Sequence, residues 1–153
     1  MAMDKLFLCE QLGSRLREAV QLAHRAHTEA AQDARSGANR AVNLAKGQAL
    51  RSVRAREELD ALDGFSPRPL PKGAAISLGA VVEVEDEEGE GRTFFLAPAG
   101  AGLELTGPDG DGFLSVVTPA SPIGRAVMGK RTGDSVEVSV AGEPREYTIT
   151  WVG

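Results

Sequence analysis

The sequence predicts an α+β protein: an N-terminal antiparallel helical hairpin (a coiled coil) followed by a small antiparallel β domain with one short helix. Three observations carry this. Residues 4–36 hold no proline and a single glycine, Gly13, and their apolar residues recur at helical steps. Residues 65–73 read Phe-Ser-Pro-Arg-Pro-Leu-Pro-Lys-Gly, and three prolines in nine positions favour stiff, extended chain. Beyond residue 73 the apolar pattern changes to alternation with a period of two. The implied boundaries are a hairpin over 1–64, a linker over 65–73 and a β domain over 74–153.

The first helix starts at Asp4, whose carboxylate can accept from an orphan helix N–H. Leu6, Cys9, Leu12, Leu16, Val20, Ala23, His27 and Ala30 form its seam. At 1.5 Å per residue, a helix of about 30 residues is roughly 45 Å long and needs a partner helix. Ser36-Gly37 ends it, with Arg35 set against its negative end. Asn39 caps a second helix running to about Leu62, with Val42, Ala45, Ala49, Val53, Leu59 and Leu62 as its seam. Gly64 suits the position after that helix, Phe65 can pack back, and Pro67 prevents continuation. So short a connection makes the two helices antiparallel neighbours. Alanine dominates the seam toward the tip, so less area is buried per turn and the tip is the less stable end.

The β domain begins with a strand at Ala80–Glu85, an acidic turn at Asp86–Gly91 and a strand at Thr93–Ala97. A short strand at Leu103–Leu105 and a dense turn at Gly107–Gly112 precede Phe113–Val117. Ser121 is placed as an N-cap, Pro122 sits at the first helical position, and Ile123, Ala126 and Val127 face inward. Gly129 stops this helix in the left-handed region. Gly133-Asp134 turns the chain into Ser135–Val140, and Glu146–Val152 closes a hairpin across Ala141-Gly-Glu-Pro.

Composition narrows the function classes. The formal net charge is −5 and there is one cysteine, so no disulfide can form within the chain, which fits a reducing cytosol. No apolar run is long enough to span a membrane, and the first residues lack a signal peptide's basic start and apolar core. The expectation is a cytoplasmic protein. Residues 1–63 carry ten Lys/Arg against nine Asp/Glu, and residues 64–153 carry seven against thirteen. Neither half has the basic footprint of a dedicated nucleic-acid binder, so any such contact is indirect, through a partner.

No catalytic set stands out. His24 and His27 share a helix face but lack a third ligand at metal-binding spacing. Cys9 reads as a small seam residue. The acidic run from Glu83 to Glu90 reads as a solvated hairpin tip. Gly100-Ala-Gly and Gly107–Gly112 lack the strand–glycine–helix context of a phosphate loop. The expectation is no enzyme, no metal and no cofactor.

One block of the chain resembles a known family. Ser121-Pro-Ile-Gly-Arg-Ala, then Gly129-Lys130, Gly133-Asp134 and Val136-Glu137-Val138 resemble the C-terminal domain of the bacterial transcription elongation factors GreA and GreB. The resemblance implies a fold similar to FK506-binding proteins, with no isomerase activity attached to it. It implies bacterial RNA polymerase as the partner, contacted through Ser121, Pro122, Ile123 and Arg125. It also gives the hairpin a role: in this family a coiled coil is inserted into the polymerase's secondary channel.

The family tip reads Gly-Asp-x-x-Glu-Asn, and its acids help the polymerase hold a catalytic Mg²⁺ and activate water. Here the tip reads Gly37-Ala38-Asn39-Arg40-Ala41. Ala38 and Ala41 occupy the acid positions, Arg40 adds positive charge, and Asp33 stands alone about a turn away. Without those acids the expectation is a polymerase-binding regulator that does not stimulate cleavage, and the resemblance to relatives with altered tips that inhibit transcription implies an inhibitor or competitor. The alternatives are a cleavage-stimulating elongation factor and an adaptor that has lost polymerase binding and uses the hairpin to dimerise.

Overall fold

The computed structural model describes the backbone of residues 4–34, 39–107 and 112–153, and their side chains except those of 27, 29–34, 39–45 and 48. Its elements are α1 (Lys5–Ala34), α2 (Asn39–Leu62), β1 (Val81–Glu85), β2 (Gly91–Leu96), β3 (Glu104–Thr106), β4 (Phe113–Val117), α3 (Pro122–Val127), β5 (Ser135–Val140) and β6 (Glu143–Val152). The α+β class holds. Two compact units emerge: residues 12–64 form one, and residues up to Gln11 join 65–153 in the other.

In the helical unit, Leu12, Leu16, Val20 and Leu62 are buried. Among the described residues, the large apolar side chains that α1 buries are Leu8, Leu12, Leu16 and Val20. This corrects the expected start of the seam, because Leu6 is 65% exposed and Cys9 only half-buried. Four-residue steps hold one helix stripe, and Leu6 falls off it. Val53, expected in the seam of α2, is 53% exposed. The inner line instead runs through Ala49, Ser52, Ala55, Leu59 and Leu62, each half-buried or buried. A Cβ added at Gly13 would sit 3.5 Å from Leu62, which fixes α2's last turn against α1 in register.

In the sheet unit the strand order is β3-β4-β2-β1-β6-β5. All pairings are antiparallel except β2 with β4, which is parallel. The expected all-antiparallel sheet is corrected to a mixed one. After β2 the chain skips one place to lay down β3, then returns to insert β4 between them. Strand direction alternates along the chain, so the inserted strand must run parallel to β2. The β5–β6 connection is also shorter than expected. Ala141 (φ 54°) and Gly142 (φ 83°) alone make the turn, as a two-residue hairpin with both φ positive does. Glu143 and Pro144 therefore join β6, opposite Val140 and Ser139.

The register lines up two apolar faces. On one, Val81 pairs with Phe95, Phe95 with Val116, and Leu105 with Leu114, and all five are buried. On the other, Val82, Val84, Leu96, Val136, Val138, Tyr147 and Ile149 form a cluster with Val127 of α3. Each fully buried large aliphatic or aromatic side chain contributes about 1.5–3 kcal/mol. A register shift between Glu83 and Val84 leaves Thr150 unpaired in β6. Such a bulge changes the phase of the strand. Ile149 therefore pairs with Val84 and Trp151 with Glu83, on opposite faces.

Candidate functional site

The Ser121–Asp134 stretch forms α3 and its surroundings. Pro122 opens the helix, with Arg125 N–H donating to the Ser121 carbonyl at 2.8 Å. Ser121 does not cap with its side chain, contrary to the sequence reading. Its Oγ accepts from Thr118 N–H at 3.0 Å and lies 3.0 Å from Thr118 Oγ1. Proline at the first helical position removes one orphan N–H, and the hydroxyl instead pins the loop that enters the helix.

Gly124 explains why this loop can lie so close. A Cβ there would sit 2.0 Å from the Thr118 carbonyl oxygen, which no other residue type allows. Gly129 ends the helix at φ 80°, as expected, and its N–H donates to the Ile76 carbonyl at 2.8 Å. Both ends of α3 are thus tied to the sheet unit by backbone contacts.

Pro122 and Arg125 are exposed, Ser121 is half-buried, and Ile123 is half-buried against the core cluster. Arg125 Nη2 donates to the Ala120 carbonyl at 2.9 Å, which holds the guanidinium at the helix start. Beside them lies an open cavity of about 480 Å³ lined by Pro122, Arg125, Ala126, Glu137, Val138 and Ser139. The structure therefore brings Pro122 and Arg125 together on one surface and turns Ile123 partly inward. Glu137 and Ser139 were not among the sequence candidates. Their signal was the alternation of β5, which buries Val136 and Val138 and turns Glu137 and Ser139 outward.

This surface has an apolar floor and a charged rim, with no nucleophile beside a base, so it suits recognition rather than catalysis. Among the described residues no three His, Cys, Asp or Glu side chains gather as a metal site. At the hairpin tip, Gly37 and Ala38 lie outside the described residues, as do the side chains of Asn39, Arg40 and Ala41 at the start of α2.

The chain matches the family described as "Transcription elongation factor, GreA/GreB, C-term" over residues 71–153. It belongs to the GreA/GreB family. The match covers the whole of the sheet from β1 to β6, including α3. Transcription elongation factor GreA of Rhodospirillum rubrum is 38% identical over 80 residues, covering 52% of this chain and 46% of that one. GreA of Polaromonas naphthalenivorans is 34% identical over 97 residues, covering 62% and 56%. The chain spans about half the length of these curated relatives in each match. Among solved structures, GreA factor homolog 1 (Gfh1) of Thermus thermophilus aligns over 99% of this chain and 95% of its own, at 24% identity and a TM-score of 0.42. None of the helices described is long and apolar enough to cross a membrane.

Proposed function

We propose that this GreA/GreB-family chain binds bacterial RNA polymerase and regulates transcription elongation without stimulating transcript cleavage. The α3 surface, with Ser121, Pro122, Ile123 and Arg125, docks at the mouth of the secondary channel. The hairpin enters the channel with Gly37-Ala38-Asn39-Arg40-Ala41 at its tip. Contact with nucleic acid is indirect, through the polymerase, and the protein acts in the cytoplasm.

The observation that carries the docking site is the pairing of exposed Pro122 and Arg125 on a helix fixed at both ends to the sheet. A pre-positioned apolar and charged pair is what an interface anchor requires. The absence of cleavage stimulation rests on the tip sequence. Two carboxylates three residues apart can converge on one ion across a helical turn, whereas Ala38 and Ala41 offer no ligand.

The test uses halted, backtracked elongation complexes. The wild-type chain is expected to bind, to compete with a cleavage-competent Gre factor, and to release no short RNA. The double change Ala38→Asp with Ala41→Glu is expected to create cleavage. Robust cleavage by the unmodified chain would refute the regulatory reading. A second reading, dimerisation through the hairpin, draws on Leu22, Leu50 and Val53, which are all more than half exposed. Light scattering of the isolated protein at micromolar concentration decides it: a monomer excludes dimerisation.

A further inference from the structure

A second cavity in the sheet unit has no part in the proposed docking surface. It measures about 540 Å³, within the range of small-molecule sites. Its lining includes Lys5, Leu70, Lys72, Thr132, Trp151 and Val152. The charge in it is unusual. Lys5 is only 5% exposed, the one charged side chain in the core of the described residues. Its ammonium has three donors. One goes to the Arg68 carbonyl at 2.8 Å, its single hydrogen bond among the described residues. Buried charges are normally paired with an opposite charge.

The wall facing Lys5 is built rather than loose. Pro67, Pro69 and Pro71 stiffen the segment from Phe65 to Gly73. Side chains tie it down at two points, Lys5 at the Arg68 carbonyl and Arg131 Nη1 at the Gly73 carbonyl. Phe65 and Pro67 pack over Gly79, within 3.4 Å and 3.0 Å of where its Cβ would stand. The bulge at Thr150, whose hydroxyl donates to the Glu83 carbonyl at 3.1 Å, aims Trp151 away from the Ile149 face. The cavity thus combines an indole, an aliphatic floor, a buried ammonium and a second ammonium, that of exposed Lys72.

We infer that this cavity binds a small organic anion: a phosphate or carboxylate on a flat apolar body, with the anionic group on Lys5 and the body against Trp151, Leu70 and Val152. An anion completes the pairing that Lys5 lacks, and a flat ring covers indole and aliphatic surface together. Desolvation, the main cause of the lowered Lys5 pKa, is the cost that such an anion offsets. The assignment is independent of polymerase binding.

Trp151 is the sole tryptophan of the chain, so its fluorescence reports this site alone. The experiment titrates the full chain with the aromatic sulfonate 8-anilinonaphthalene-1-sulfonate and with the uncharged N-phenyl-1-naphthylamine. Saturable one-to-one quenching by the sulfonate is expected, about tenfold weaker in Lys5→Met, with the neutral probe unaffected by the substitution. That ratio corresponds to loss of one charge-assisted contact. Circular dichroism checks the fold of the variant. If Lys5→Met does not fold, Lys72→Met serves, with about threefold weakening for the sulfonate only. Displacement of the probe by AMP assigns a phosphate headgroup, and displacement by indole-3-acetate alone assigns a carboxylate. No quenching, equal loss for both probes, or displacement by neither competitor would overturn the site.

Discussion

The two compact units are stabilised in different ways. The sheet unit buries side chains on both faces of a six-stranded sheet, with Phe95, Leu96, Ile149 and five valines almost wholly excluded from water. The helical unit has a narrow seam. Of its described residues, Leu12, Leu16, Val20 and Leu62 are the buried apolar ones, and the inner line of α2 is built largely of alanine and serine. Helix length adds reach at 1.5 Å per residue, but it adds burial only where the seam carries large residues. The sheet unit is therefore suited to hold a fixed surface such as α3, and the hairpin is suited to extend at little packing energy.

Substitutions can break this contrast. Phe95→Ala empties the middle of the Val81–Phe95–Val116 ridge and is expected to cost about 3–5 kcal/mol by urea unfolding. Leu16→Ala is expected at the low end of the 2–5 kcal/mol range for such truncations, because the small residues on α2 leave less to lose. Equal costs at the two positions would show that the hairpin is packed as tightly as the sheet.

Gly124→Ala comes next. Its new Cβ would collide with the Thr118 carbonyl, so α3 or its entry loop must shift, at about 1–3 kcal/mol. Polymerase affinity is expected to fall with it, because the loop and helix carry the proposed docking residues. Thermal melting alongside a binding titration separates the two effects. Val53→Lys is expected to stay within about 0.5 kcal/mol of wild type, since its side chain already faces water.

The smallest expected effect is alkaline. Burial lowers the Lys5 pKa below its ordinary 10.5, with a nearby Cys9 thiolate acting in the opposite sense. The folded state thus holds this proton less tightly than the unfolded one. The destabilisation by Lys5 is full at neutral pH and is relieved as pH rises through the lowered pKa toward 10.5. Cys9 moves the other way. Burial raises its pKa above 9.0, so its contribution is full below that value and is lost as pH climbs through the raised pKa. Lys5→Met is therefore expected to raise the melting temperature at pH 7, with the gain shrinking toward pH 10. A gain that does not change with pH would remove the charge explanation.

Local chemistry made much of this legible in the sequence. Asp4 does cap α1, its Oδ1 accepting from Phe7 N–H at 3.2 Å, and Gly64 does take a positive φ after α2. The strands β1 and β5 follow their alternation, whereas β2 and β4 end in consecutive buried residues because both faces of the sheet are covered there. Three things were hidden because they depend on chain order or distant neighbours. The parallel β2–β4 pair comes from strand order, which no local pattern encodes. The Ser121 hydroxyl turns to Thr118 because the preceding loop comes back to it. Lys5 reads as a surface residue at a helix start, and only the fold brings the Arg68 carbonyl to it. Of the proposed docking residues, Pro122 and Arg125 were named in the sequence only through the family resemblance, and the fold leaves both exposed. Glu137 lines the same cavity only because β5 lies alongside α3.

The most direct test measures binding of the chain to RNA polymerase core enzyme, comparing wild type with Arg125→Glu and with Arg92→Glu as an exposed control on β2. Arg125 is the better probe than Ile123, which packs on the core and would confound binding with folding. Wild type is expected to bind and to displace a cleavage-competent Gre factor. Arg125→Glu is expected to weaken binding at least about tenfold, or 1.4 kcal/mol, while Arg92→Glu binds as wild type. No binding by wild type at excess concentration, or full affinity in a folded Arg125→Glu variant, would contradict the proposed function.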